Sequence, residues 1–199
     1  RDWSSDVCSS DLAGTVEANT TAEGKTGGQV NLVANDIKIT KKSTTTATGS
    51  AGGGQVNVGL AQTQASGGTQ VNAQTPSANT AEQNQVVVAN NATQAASTKQ
   101  MANTVTVKEG AVIDVSATQS GNAGSIAIWS QVKTTVAGTL KAIGGAISGN
   151  GGFIETSSKG AVNLAPKLVV DTSAAKGKSG LWFLDPIDLI IDASDANVV

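Results

Sequence analysis

Histidine and tyrosine are absent from the 199 residues, and cysteine, methionine, phenylalanine and proline number only one, one, two and three. Without histidine the chain has neither the usual neutral-pH proton-transfer group nor the commonest zinc ligand, so any catalysis would rest on carboxylates and lysines. The lone Cys8, together with Trp3, falls in residues 1–12, RDWSSDVCSSDL, which read like a translated sequencing adapter and are expected to lie outside the folded domain. The remainder has no thiol, which excludes disulfides and cysteine-based metal sites. Aromatic residues make up 3% and charged residues 14%, with a net charge of −2. So few large side chains cannot fill one thick core, and so few charges do not make an expanded coil. No basic patch points to nucleic acid. The longest strongly apolar run, Leu181 to Ile191, is short of a bilayer span and is interrupted by Asp185, Pro186 and Asp188, so the chain is not expected to span a membrane.

The abundant residues are small: 23 glycines, with alanine, valine, threonine, asparagine and glutamine. They favour many thin apolar layers, and internal repetition shows how the layers arise. Three glycine-turn units align as GNAGSIAIW (Gly121 to Trp129), GNGGFIETS (Gly149 to Ser157) and GKSGLWFLD (Gly177 to Asp185), 28 residues apart both times. The strands ahead of them, beginning at Ile113, Leu140 and Val170, are 27 and then 30 residues apart. Turns of variable length between strand and glycine account for the mismatch, as in solenoid coils. Within each unit the residues alternate with period two: Ile113 and Val115 flank Asp114, Ile126 and Ile128 flank Ala127, and Leu140 and Ala142 flank Lys141. No window sustains a helical period. A coil of this length cannot bury its own apolar face, so coils stack with strands paired in parallel about 4.8 Å apart. The predicted fold is all-β, a right-handed parallel β-helix with an irregular N-terminal half.

Residues 105–192 supply the regular coils, and 193–199 begin a following segment. Residues 13–104 read as irregular coils with long polar loops. A Gln-Val-Asn theme recurs there at Gln29, Gln55 and Gln70, with steps of 26 and then 15, and Thr75 to Ala102 reads as a long surface excursion with one strand at Val86 to Val88. The strand alignment places Asp114, Lys141 and Asp171 in one outward column, whereas the glycine alignment puts Ala142 and Val170 level with Asp114. Neither gathers carboxylates as a glycosidase requires. Gly177, Lys178 and Ser179 mimic the end of a phosphate-binding loop, but the glycine it needs five residues earlier is Thr172. Trp129, Phe153 and Trp182 follow the turn glycines at matching places in the repeat and are expected to stack inside the solenoid or plug its end rather than form a sugar-stacking strip. Sequons at Asn19 and Asn91 lie in loop-like text. Ile187, Leu189 and Ile191 are expected to face the core, with Asp188 and Asp192 in water. Pro186 cannot donate to a ladder and biases Asp185 towards an extended conformation, so the coil is expected to break register and turn there. The structural motif is thus Gly121, Gly124, Gly149, Gly152, Phe153, Gly177, Gly180, Trp182, Asp185 and Pro186. No catalytic residue, metal or cofactor is expected.

The segments Gly149 to Ser157 and Gly177 to Pro186, the latter within KGKSGLWFLDPIDLIID from Lys176 to Asp192, resemble the filamentous-haemagglutinin-like adhesins exported by two-partner secretion. The resemblance is good from about Val105 to Asp192 and loose from Gly27 to Thr75. It implies a β-helix secreted to, or displayed on, the surface of a Gram-negative bacterium, with an outer-membrane transporter and host-cell or bacterial receptors or glycans as partners. The Asn-Pro-Asn-Gly motif of that family's secretion module is not in this chain. Adhesion is the leading expectation. The alternatives are the stalk of a contact-dependent growth-inhibition effector and, less favoured, a carbohydrate-active β-helix enzyme working through Asp114, Asp171 and Asp185.

Overall fold

The computed structural model describes residues 9–60 and 101–191, and no helix occurs among them. In chain order the strands are β1 (Ser9–Leu12), β2 (Thr15–Glu17), β3 (Gln29–Leu32), β4 (Asp36–Ile39), β5 (Thr44–Thr46), β6 (Gln55–Val58), β7 (Thr104–Val107), β8 (Val112–Asp114), β9 (Ser125–Ser130), β10 (Lys133–Val136), β11 (Thr139–Lys141), β12 (Phe153–Leu164), β13 (Val169–Asp171) and β14 (Leu181–Ile191). Every strand pairs in parallel, the inner ones with strands of the coils above and below and the end ones (β1, β2, β3, β13 and β14) on one side only. The chain is a parallel β-solenoid.

Three columns of strands build it. One face stacks β3, β6, β9, the first half of β12 and the first half of β14. The second stacks β1, β4, β7, β10 and the second halves of β12 and β14. The third stacks β2, β5, β8, β11 and β13, which mark five turns. Because side chains alternate along a strand and the paired strands are parallel and in register, register partners point to the same side of the sheet. Inward positions therefore form continuous files: Val30, Val56, Ile126, Ile154 and Trp182 on the first face, Leu12, Ile39, Val107, Val136 and Leu164 on the second, and Val16, Thr45, Ile113, Leu140 and Val170 on the third. Most are wholly buried and belong to one core cluster. The core is a narrow file of small and branched side chains, which is why the chain manages with so few aromatics.

The outward column anticipated from strand alignment is present, with Lys141 level with both Asp114 and Asp171. The alternative glycine alignment does not govern this face. Gln29 and Gln55 stack as one coil step. The irregular step occurs where the first face meets the second: the chain leaves after Leu60 and returns at Met101, and these two residues form an antiparallel bridge, with the Ala102 amide donating to Gly59 O at 2.8 Å. Gln70, Val86 to Val88 and Asn91 lie outside the described residues.

Four expectations need correction. The aromatic residues do not share a level: Phe153 is level with Ser125 and Leu181, Trp182 with Ile154, and Trp129 with Ser157. Trp182 faces inward, whereas Phe153 and Trp129 face outward and are nonetheless buried. Pro186 does not end the strand, although the register breaks directly after it as expected. The pairing runs through Ser158 opposite Pro186 and then slips, with Lys159 and Gly160 set against Ile187 alone. Ile187, Leu189 and Ile191 are exposed, Ile187 by 78%. Leu189 and Ile191 follow the inward files of Val162 and Leu164, but no described strand stacks on β14 to cover them. Asp192 lies outside the described residues. Finally, Ser9–Leu12, set aside with residues 1–12, pairs with β4, and Asp11 meets Lys38 at 2.8 Å. Only Leu12 of this tetrapeptide is apolar, and it continues the inward file of Ile39, while the backbone pairs along an open parallel edge.

Candidate functional site

The corner between the third and first faces explains the glycines. At the exit of each third-face strand a carbonyl accepts from the glycine that precedes the next first-face strand: Ala18 from Gly28, Ala47 from Gly54, Val115 from Gly124, Ala142 from Gly152 and Thr172 from Gly180, at 2.6–2.8 Å. These glycines stack directly. A Cβ on Gly124 would run into the carbonyl of Gly54, one on Gly152 into that of Gly124, and one on Gly180 into that of Gly152. The second file works likewise, Gly149 lying against the Gly121 carbonyl and Gly177 against that of Gly149. Gly121 and Gly149 also take positive φ, 87° and 119°. Between the files the Asn150 amide donates to Asn122 Oδ1 at 2.7 Å, and the Lys178 amide donates to Asn150 Oδ1 at 2.8 Å. Six of the ten predicted motif residues therefore form a structural corner, in which the Gly124, Gly152 and Gly180 amides close the backbone. The Gly177-Lys178-Ser179 mimic is part of it.

The chemically unusual group is Glu155, which the sequence did not single out. It projects from the outer side of β12 yet is only 1% exposed. Its Oε1 accepts from Trp129 Nε1 at 2.6 Å and from Ser157 Oγ at 2.9 Å. Its Oε2 has no hydrogen-bond partner. Burial pushes the Glu155 carboxyl above its ordinary value, the Ser157 and Trp129 bonds pull it back in part, and the negative charge of Asp185 pushes it up again. Trp129 in turn packs with Ala127, Leu60 and Met101, so the acid is tied to the corner where the coil opens after β6. The outer side of this face is buried in its middle coils, at Asn57, Ser125, Ala127, Phe153 and Ser157, and opens at the end coils, where Asn31 and Asp185 are exposed; Asn57 Nδ2 donates to Asn31 Oδ1 at 2.8 Å. On the inner side of the same strands a hydroxyl network closes the corner: Ser130 Oγ lies 2.8 Å from Thr134 Oγ1 and 3.0 Å from Ser158 Oγ, and Thr134 Oγ1 donates to Ser157 O. The legible signal was FIETSS at Phe153 to Ser158, where an acid sits mid-strand between residues that both faces bury.

The remaining acids stay apart. Asp114 and Asp171 share a face but are two levels apart, about 9.6 Å at the usual strand spacing, with Lys141 between them. The Ser173 hydroxyl and amide hold the Asp171 carboxyl below its ordinary value, with Lys141 adding to the effect. Asp185 lies on another face, level with Ser157. The nearest acidic neighbours among these are Glu155 and Asp185, diagonal on adjacent strands. Asn19 is exposed, but its side chain accepts from the Thr48 amide and hydroxyl.

No protein-family model matches the chain, and no curated protein matches it. No helix among the described residues is long and apolar enough to cross a membrane. What the geometry offers is a rod with one outer face buried in its middle coils and two outward faces of mostly polar residues: Thr104, Thr106, Lys133, Thr135 and Asn163 on the second, and Thr15, Thr44 and Thr139 beside Val112 and Val169 on the third.

Proposed function

We propose that this chain is a non-catalytic segment of a bacterial surface adhesin of the filamentous-haemagglutinin type, secreted through an outer-membrane transporter of the two-partner kind. The observation that carries the reading is the parallel stack itself. Its backbone bonds run from coil to coil, its core is a file of small and branched side chains with Trp182 at one end, and its second and third faces present mostly polar side chains at strand spacing. Such a rod offers many weak, equivalent contacts to a cell surface or glycan, and GNGGFIETS and GKSGLWFLDP occupy successive coils in the order seen in that family. The separation of Asp114, Asp171 and Asp185 favours binding over turnover.

The test uses the full chain coupled to beads, with retention on bacterial and epithelial cell layers measured under flow. Retention above bare beads, reduced when Thr106 and Thr135 are both replaced by glutamate, supports adhesion through the second face. Retention equal to that of bare beads refutes it. Release of reducing ends from acidic polysaccharides, abolished in Asp114→Asn, Asp171→Asn or Asp185→Asn, would replace it with the enzyme reading.

A further inference from the structure

Glu155 is a buried acid to which neither the glycine corner nor the polar faces assign a task. Its two hydrogen bonds both fall on Oε1, which leaves Oε2 as the seat of a proton. Ionised, that oxygen would be a buried charge without a donor, a state that is disfavoured unless the side chain leaves its site. No cation faces it. The outward positions of β9 are Ser125, Ala127 and Trp129, those of β6 are Gln55 and Asn57, and those of β14 are Leu181, Phe183 and Asp185, the one charged group and of the same sign. On β12 itself Phe153 and Ser157 flank it, and Lys159 lies past the register slip, exposed.

Leaving has a structural consequence, because Glu155 also positions Trp129. The indole is fixed at its nitrogen by Glu155 and along its ring by Leu60, Met101 and Ala127. Leu60 and Met101 are the bridged pair at the point where β6 gives way to β7. We propose that Glu155 and Trp129 form a proton-operated clasp on this corner: protonated Glu155 holds the indole against the Leu60–Met101 bridge, and ionisation releases both. The sign follows from linkage. An acid that holds its proton more tightly in the closed state stabilises that state at low pH, and the stabilisation is lost as pH rises through the raised value. The clasp is closed in acid and opens towards neutral and alkaline pH.

The experiment uses the full chain with Trp3→Phe and Trp182→Phe, so that Trp129 is the sole indole. Its emission, its indole N–H resonance and hydrogen exchange at the Ala102 amide, which donates to Gly59 O, are followed from pH 4 to 9. After correction for intrinsic exchange, opening should rise about tenfold per pH unit between the ordinary glutamate value and that of Glu155, then level off, with Trp129 moving in step. Glu155→Gln should flatten both profiles. Asp185→Asn, which leaves the clasp intact, should shift the plateau to lower pH, and it serves as the second variant should Glu155→Gln fail to fold. A Trp129 signal and Ala102 exchange independent of pH overturn the proposal. So does an unchanged titration in Glu155→Gln, or no movement of the plateau in Asp185→Asn.

Discussion

Replacing Gly124 by alanine tests the stacking corner, because ordinary expectation and the geometry predict opposite signs. Gly124 does not have positive φ, and a glycine whose backbone an alanine can adopt is normally improved by the change, by about 0.4–1 kcal/mol, through reduced freedom of the unfolded chain. Here the added Cβ meets only backbone: the carbonyl oxygen and carbon of Gly54 and the carbonyl carbon of Gly53. No side chain can swing aside, so the two coils must separate. Two hydrogen bonds pass through the same atoms, Gly124 N–H to Val115 O at 2.8 Å and Ser125 N–H to Gly54 O at 3.1 Å. Losing both costs about 1 kcal/mol each, and forcing the overpacked contact costs roughly 1–3 more. Less the unfolded-state gain, the net loss is about 2–4 kcal/mol, a fall in Tm of roughly 4–16 °C at this chain length. Gly14→Ala is the control, since its Cβ meets nothing within 4 Å. Thermal and urea unfolding followed by far-ultraviolet circular dichroism give both values. If Gly124→Ala matches Gly14→Ala to within about 0.5 kcal/mol, the close stacking of the glycine file is wrong.

Core and end positions should separate in the same assay. Ile154→Ala, at a wholly buried inward position, should cost about 2–5 kcal/mol, whereas Ile187→Ser on the exposed end of β14 should stay within about 0.5 kcal/mol. Because Leu60 and Met101 are already bridged, replacing residues 61–100 by a four-residue Gly/Ser link should leave the β-spectrum intact. Shortening that loop tenfold reduces its closure entropy by about 2 kcal/mol, so the unfolding midpoint should not fall through loop closure; loss of the cooperative transition would refute the corner assignment. Asp171 titrates below the ordinary aspartate value, so its contribution is present above that value and disappears as pH falls through the lowered one. Ser173→Ala should move the Asp171 carboxyl upward in a carbon-13 NMR titration, and an unmoved resonance would reject the Ser173 bond as the main cause.

Much of the fold was legible because a solenoid writes its geometry into spacing. The alternation at Ile113, Val115, Ile126 and Ile128 marked inward residues, and strand alignment alone brought Asp114, Lys141 and Asp171 to one column. The 28-residue glycine step reflected a real contact, carbonyl against α-carbon, that no other residue allows. The aromatic alignment failed for a simple reason: Phe153 is one residue past its stacking glycine, Trp182 two and Trp129 five, so parity sends them to different sides of the sheet. Glu155 was missed because its character comes from burial of an outer face, and period-two patterning assigns such a face to water. The exposure of Ile187, Leu189 and Ile191 was missed because pattern identifies the direction of a side chain, not whether a neighbour arrives to cover it.

The corner at Leu60 and Met101 also divides the order in which contacts can form. Most coil contacts join residues 26 to 30 positions apart, as in Gln29 with Gln55, Ser125 with Phe153 and Thr139 with Val169. Across the corner the separation rises to 68 for Asp36 with Thr104 and for Thr44 with Val112, and to 70 for Gln55 with Ser125. Closing the longer loops carries more entropy before any pairing compensates for it, and stacked repeats propagate from whichever neighbours meet first. The rod accordingly has a kinetic seam between β6 and β9: the coils on each side can nucleate separately, and their joining is the slow step of assembly.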